Sequence, residues 1–148
     1  MKFPKILVPL SGDGAGADKE AIELACWLAK EVKGKIYVVY AIQVKRSLPL
    51  DAELEPETEM AEKILSDAEE VAQARDCAVE TDLLQTREIG PAIIDEAMER
   101  GVDLILMGTG YRKRFGQFDL GEVVRYVLRN APCRVLLLRQ PLVTDEKQ

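Results

Sequence analysis

Apolar positions along this chain fall into two alternating kinds of run. Five are short and nearly continuous: Lys5-Ile-Leu-Val-Pro-Leu10, Lys35 to Ile42, Cys77 to Leu84, Leu104 to Met107 and Cys133 to Leu138. Their length and their β-branched or aliphatic content predict strands, mostly buried on both faces. Between them apolar residues recur at helical spacing. The stripes are Ala21, Leu24, Ala25, Leu28 and Val32; Ala61, Ile64, Leu65, Ala68, Val71 and Ala72; Ile89, Ile93, Ile94 and Ala97; and Leu120, Val123, Val124, Val127 and Leu128. Gly34 is placed to stop the first helix, and Gly90-Pro91 to open the third. Trp27, beside the first stripe, is expected to pack. Residues 43–56 read as a loop and 141–148 as a polar tail.

The resulting order, β-α-β-α-β-α-β-α-β, predicts an α/β fold with a single five-stranded parallel sheet and helices on both faces, because right-handed crossovers place them there. In such sheets ligands bind beyond the carboxyl ends of the strands, where strand order reverses. If strands one and four are the neighbours at that reversal, Pro9 to Gly12 faces Gly108 to Gly121. The second of these segments leaves a strand, passes glycines 108, 110, 116 and 121, and enters a helix. That arrangement aims backbone N–H groups and the positive end of a helix dipole at one spot, as phosphate sites do. Known phosphate loops nevertheless fail on spacing. Gly116-x4-Gly121 is followed by Glu122-Val123 instead of Lys and Ser/Thr, and Gly108-x-Gly110 has Lys113 where a dinucleotide fingerprint needs glycine.

Composition narrows the chemistry. The chain of 148 residues is 47% hydrophobic, enough for one domain with an ordinary core, expected to span 1–148. A net charge of −6 argues against nucleic acid or an anionic membrane as partner, and no stretch reaches ~18 uncharged apolar residues. A cytoplasmic protein is expected. Histidine is absent, which excludes Ser-His-Asp and Cys-His catalysis and any histidine-ligated metal. Cys26, Cys77 and Cys133 lack motif spacing and sit in apolar stretches, so they are expected to be buried, reduced and unreactive. Charge is polarised. Carboxylates stand at 51, 53, 55, 57, 59, 62, 67, 69, 70 and 76 against Lys63 and Arg75, whereas cations stand at 112, 113, 114, 125, 129, 134 and 139 against Asp119 and Glu122. That polarity suits head-to-tail contacts or an acidic protein partner.

Ile6-Leu-Val-Pro-Leu10, Asp103-Leu-Ile-Leu-Met-Gly108, and Gly121 leading into Val127-Leu-Arg-Asn-Ala-Pro-Cys-Arg-Val-Leu-Leu-Leu138 resemble the universal stress protein family over nearly the whole chain. The resemblance implies a Rossmann-like, adenine-nucleotide-alpha-hydrolase-like sheet in the order 3-2-1-4-5, a role in stress response, and homodimers through the last strand, here Cys133 to Arg139. It also implies, for some members, ATP held by G-x2-G-x9-G-[ST] and an aspartate at the end of strand one. Gly108 and Gly121 match the first and third glycines, while Tyr111 replaces the second and Glu122 replaces the Ser/Thr. Pro9 matches, but Ser11 stands at the aspartate position; Met107 and Val123 match positions that wall the nucleotide.

Tyr111 restricts the backbone where a Cβ-free residue would approach phosphate, although Gly110 beside it offers a partial substitute. Glu122, in the first turn of the last helix, would repel a phosphate by a few kcal/mol at an effective dielectric of about 20. The candidate pocket therefore comprises Pro9, Ser11, Met107, Gly108, Gly110, Tyr111, Arg112, Lys113, Arg114, Gly121, Glu122 and Val123. It is expected to be degenerate, in a regulatory binding module that is no enzyme and holds no cofactor. The alternative is an ATP- or AMP-binding switch, or a slow ATPase, that grips ATP with Arg112 to Arg114.

Overall fold

The computed structural model of the chain describes residues 1–13, 16–111 and 113–142, with the backbone alone at 113 and 114. Strands β1 (Lys5–Pro9), β2 (Lys35–Gln43), β3 (Glu80–Thr86), β4 (Leu104–Thr109) and β7 (Arg134–Arg139) form one parallel sheet in the order β3-β2-β1-β4-β7. This is the expected 3-2-1-4-5 order. Two strands of a separate hairpin, β5 (Lys113–Arg114) and β6 (Gln117–Phe118), shift the numbering of the last one. The chain is threaded through helices α1 (Ala17–Lys30), α2 (Glu55–Gln73), α3 (Ile89–Arg100) and α4 (Glu122–Asn130).

Strand alternation divides the core into two layers. Ile6 and Val8 of β1, Ile36 and Val38 of β2, and Leu104 and Leu106 of β4 face α1 and α2, meeting Ala21, Ile22, Ala25, Leu65, Ala68 and Ala72. Their sequence neighbours Leu7, Tyr37, Val39, Ile105 and Met107 face the other way, against Ile93, Ile94 and Ala97 of α3 and Val127 of α4. Because both faces are covered, the central strands carry apolar residues at every position, which is why they read as continuous runs and not as alternation. Small residues line the buried side of α1 (Ala17, Ala21, Ala25, Ala29), bringing that helix close to the sheet. The closeness is sharpest at Gly108, where an added Cβ would fall 2.2 Å from the Ala17 carbonyl oxygen.

Several local expectations are corrected. Trp27 does not pack: it is 70% exposed, because the α1 face that meets the sheet runs through Ala21, Ala25 and Ala29. The first helix ends at Lys30, and the left-handed residue of its termination is Lys33, not Gly34. Gly34 instead returns its N–H to Ala29 and sits where a Cβ would meet the Pro4 carbonyl oxygen at 2.9 Å. The third strand begins at Glu80, since Cys77 still belongs to the turn leaving α2 and donates its N–H to Ala72. Only Cys26 is fully buried; Cys77 and Cys133 are partly exposed, each lying at the margin of its core layer. The glycine-rich stretch after β4 is not wholly loop, as the β5–β6 hairpin is folded within it. Most of the expected tail, 143–148, lies outside the described residues.

Candidate functional site

The reversal of strand order falls between β1 and β4, and a cavity of about 620 Å³ opens there at the carboxyl ends of the strands. β1 and its exit contribute Pro9, Leu10, Ser11 and Asp13; β4 contributes Met107, Gly108 and Thr109; residues 119–125 close the far side through Asp119, Leu120, Gly121 and the first turn of α4. Tyr40 and Ala41 of β2 and Ile89 and Ile93 of α3 complete the wall. The two glycine-bearing segments thus meet as the strand pattern requires.

The residues of the two segments have local causes for their conformations. Gly121 caps α4 at φ 84°, ψ 159°, a combination open essentially to glycine alone, so it lets the chain turn sharply into the helix. Glu122 follows in the first turn, exposed and lining the cavity, where the helix dipole favours a carboxylate. Ser11, at the position where a family aspartate is expected, is committed elsewhere. Its N–H and Oγ both donate to Asp18 Oδ1, at 2.9 and 3.1 Å, while the Gly12 N–H donates to Asp18 Oδ2 at 2.8 Å. Asp18 in the first turn of α1 therefore holds the β1 exit in shape.

Of the residues read from sequence, Pro9, Ser11, Met107, Gly108, Gly121, Glu122 and Val123 line the cavity together. Gly110 and Tyr111 do not. The Tyr111 ring stacks on Phe118 with centroids 5.1 Å apart, and the Arg139 guanidinium lies over both rings, 5.0 Å from Tyr111 and 5.6 Å from Phe118. Tyr111 thus serves to fasten the hairpin to the end of β7. Arg112 lies outside the described residues, and Lys113 and Arg114 are described only as the backbone of β5.

Sequence reasoning missed three charged members of the wall, Asp13, Asp119 and Arg125. Asp13 and Asp119 line the cavity with Glu122, and the cation among the described lining residues, Arg125, bonds Asp119 at 2.8 Å. A signal was present in Asp119 and Arg125, which flank Glu122 just before and just inside the helix, but their pairing depends on how Gly121 turns the chain. No group of His, Cys, Asp or Glu among the described residues is arranged to hold a metal ion, and no described helix is long and apolar enough to cross a membrane.

Residues 2–139 match the model of the universal stress protein family. The chain is 28% identical over 145 residues to a universal stress protein of Methanocaldococcus jannaschii, covering 94% of this chain and 84% of that one. It is 31% identical over 157 residues to a Staphylococcus haemolyticus protein of the same description, covering 100% and 92%. Among solved structures, the Archaeoglobus fulgidus universal stress protein in complex with dAMP superimposes with a TM-score of 0.72 at 22% identity, covering 93% of this chain and 98% of that one.

Proposed function

Because the chain belongs to the universal stress protein family, we propose that it is a dimeric regulatory binding module whose pocket does not hold ATP in the family manner. The observation that carries this reading is the charge of the cavity wall. Among the described lining residues, the carboxylates Asp13, Asp119 and Glu122 outnumber the cation Arg125, which is engaged by Asp119. A triphosphate would bring several further negative charges to a helix start whose first turn already carries Glu122. Each close carboxylate–phosphate approach costs a few kcal/mol at an effective dielectric of about 20. Millimolar binding amounts to only about 4 kcal/mol in total, so one or two such approaches are enough to abolish measurable affinity.

The absence of histidine supports a binding role over an enzymatic one. The dimer is supported by β7. Among the described residues it pairs with β4 alone, and its half-buried Val135 to Leu138 would leave an apolar sheet edge open.

The rival reading, a nucleotide switch gripped by Arg112, Lys113 and Arg114, draws support from the size of the cavity and from the dAMP held by the Archaeoglobus relative. Calorimetric titration separates the two. On the first reading, wild-type protein shows no ATP binding tighter than about millimolar. Glu122→Ser combined with Asp13→Asn then recovers affinity by at least about tenfold, equivalent to 1.4 kcal/mol. Restoring aspartate at position 11 is the wrong repair, because it would set a second carboxylate beside Asp18. Micromolar binding by the wild type, abolished by alanine at 112, 113 and 114, would establish the rival.

A further inference from the structure

Cys26 and Cys77 are far apart in sequence and meet in space. Cys26 lies in the body of α1, 6% exposed. Cys77 lies just beyond α2, where the chain turns through left-handed Asp76 (φ 53°) and hands the Cys77 N–H back to the Ala72 carbonyl at 3.0 Å. Ala72 and Cys26 belong to one core layer, and Cys77 packs against it. Arg75 reaches across from the end of α2 to Glu23 of α1 at 2.8 Å, fastening the two segments within one helical turn of both thiols. The outcome is that Cys26 and Cys77 belong to one core layer, close enough for the two thiols to interact, while Cys133 lies in the other core layer on the far side of the sheet.

We propose that Cys26 and Cys77 are an oxidative modification site, closing to a reversible intramolecular disulfide when the protein meets a peroxide. The accessible partner reacts first. Cys77 is only partly buried, so its thiolate can attack one peroxide oxygen; the S–O bond forms, the O–O bond breaks, and the departing hydroxide takes a proton to become water. Cys77 is then a sulfenic acid. Cys26, losing its proton, attacks that sulfur; the S–S bond forms, the S–O bond breaks, and the second hydroxide leaves as water once protonated. Two thiols lose two electrons and two protons, and one hydrogen peroxide becomes two waters.

The division of labour follows from the surroundings. Burial first, then the Cys77 thiol and Glu23, push the Cys26 thiol up from an ordinary value of 9.0 to about 12, with Arg75 opposing. A thiol so held is a poor nucleophile toward peroxide in bulk water. It can still resolve a sulfenic acid already in contact with it, because the reaction is then intramolecular. No solvent needs to enter the core. The linked state would tie the middle of α1 to the turn that starts the approach to β3.

Fully reduced protein is treated with hydrogen peroxide, quenched by alkylation and mapped by peptide mass spectrometry. The expected product is a monomer lighter by two hydrogen atoms, carrying a Cys26–Cys77 linked peptide with Cys133 alkylated, and reverting on addition of a dithiol. Cys133→Ser retains the link, Cys77→Ser abolishes it, and Cys26→Ser leaves Cys77 as a sulfenic acid trappable by dimedone. Wild-type Cys77 carrying two added oxygen atoms while Cys26 remains alkylatable would overturn the proposal. So would a link between chains, an unoxidised protein, or a Cys26–Cys77 link that forms only in denaturant. Wild type and Cys133→Ser alone decide the matter if Cys26→Ser does not fold.

Discussion

Gly108 shows how one residue type can satisfy two demands that sequence alone does not separate. It matches the first glycine of the family's phosphate-binding pattern and lines the cavity, yet the tightest constraint on it comes from α1. A Cβ at 108 would sit 2.2 Å from the Ala17 oxygen, 2.8 Å from the Ala17 carbonyl carbon and 3.2 Å from the Ala21 Cβ, contacts that only a shift of helix backbone can relieve. Gly108→Ala is therefore expected to destabilise the fold by about 3 kcal/mol, the upper range for overpacking. Gly110 offers the control. Its added Cβ would meet the Gln140 Oε1 at 3.3 Å, the far end of a flexible side chain, so Gly110→Ala should cost about 1 kcal/mol or less. Urea unfolding of both variants measures the contrast, and equal costs would mean that the α1–β4 contact is not what requires glycine.

At the scale of elements, the β5–β6 hairpin leads directly into the segment that closes the cavity. Its turn carries two successive left-handed residues, Phe115 (φ 54°) and Gly116 (φ 77°), the backbone pattern that matches the twist of a tight hairpin. A two-residue-per-strand ribbon is not stable alone. It is held by Tyr111, Phe118 and Arg139, whose stacking joins it to the last residue of β7, and the segment leaving it supplies Asp119 to the cavity. Arg139→Ala should remove about 0.5–1 kcal/mol of cation–π attraction at this exposed position. The expected result is faster proteolytic cleavage within 111–118 and little change in global stability. Unchanged cleavage would show that the hairpin is fixed by something other than the stack.

For the whole molecule, the open question at β7 has a direct readout. Wild-type protein is expected to sediment as a dimer at tens of micromolar, with the outward amides of residues 134–139 exchanging faster on dilution. Leu138→Lys, which sets a cation beside Arg139 on the edge strand, should weaken association by about tenfold or more, near 1.4 kcal/mol, while leaving the monomer folded by circular dichroism. A wild-type monomer at that concentration would refute the edge-pairing reading. The sequence by itself determined the elements and the sheet, because burial of both faces writes an unmistakable period: continuous apolar strands such as Ile6 to Val8 and Leu104 to Met107, and helical stripes such as Ala61, Leu65, Ala68 and Ala72. It also located the pocket, through glycines at the ends of β1 and β4, and placed Glu122 at a helix start. Tertiary structure alone decided what depends on distances across the chain. It turned Tyr111 away from the cavity and onto Phe118 and Arg139, tied Ser11 to Asp18, left Trp27 in solvent, and brought Asp13 and Asp119 to the wall. It also set Cys26 beside Cys77, a meeting that no local spacing encodes, because hydrophobic periodicity fixes which face a residue occupies but not which residue of another element lies opposite.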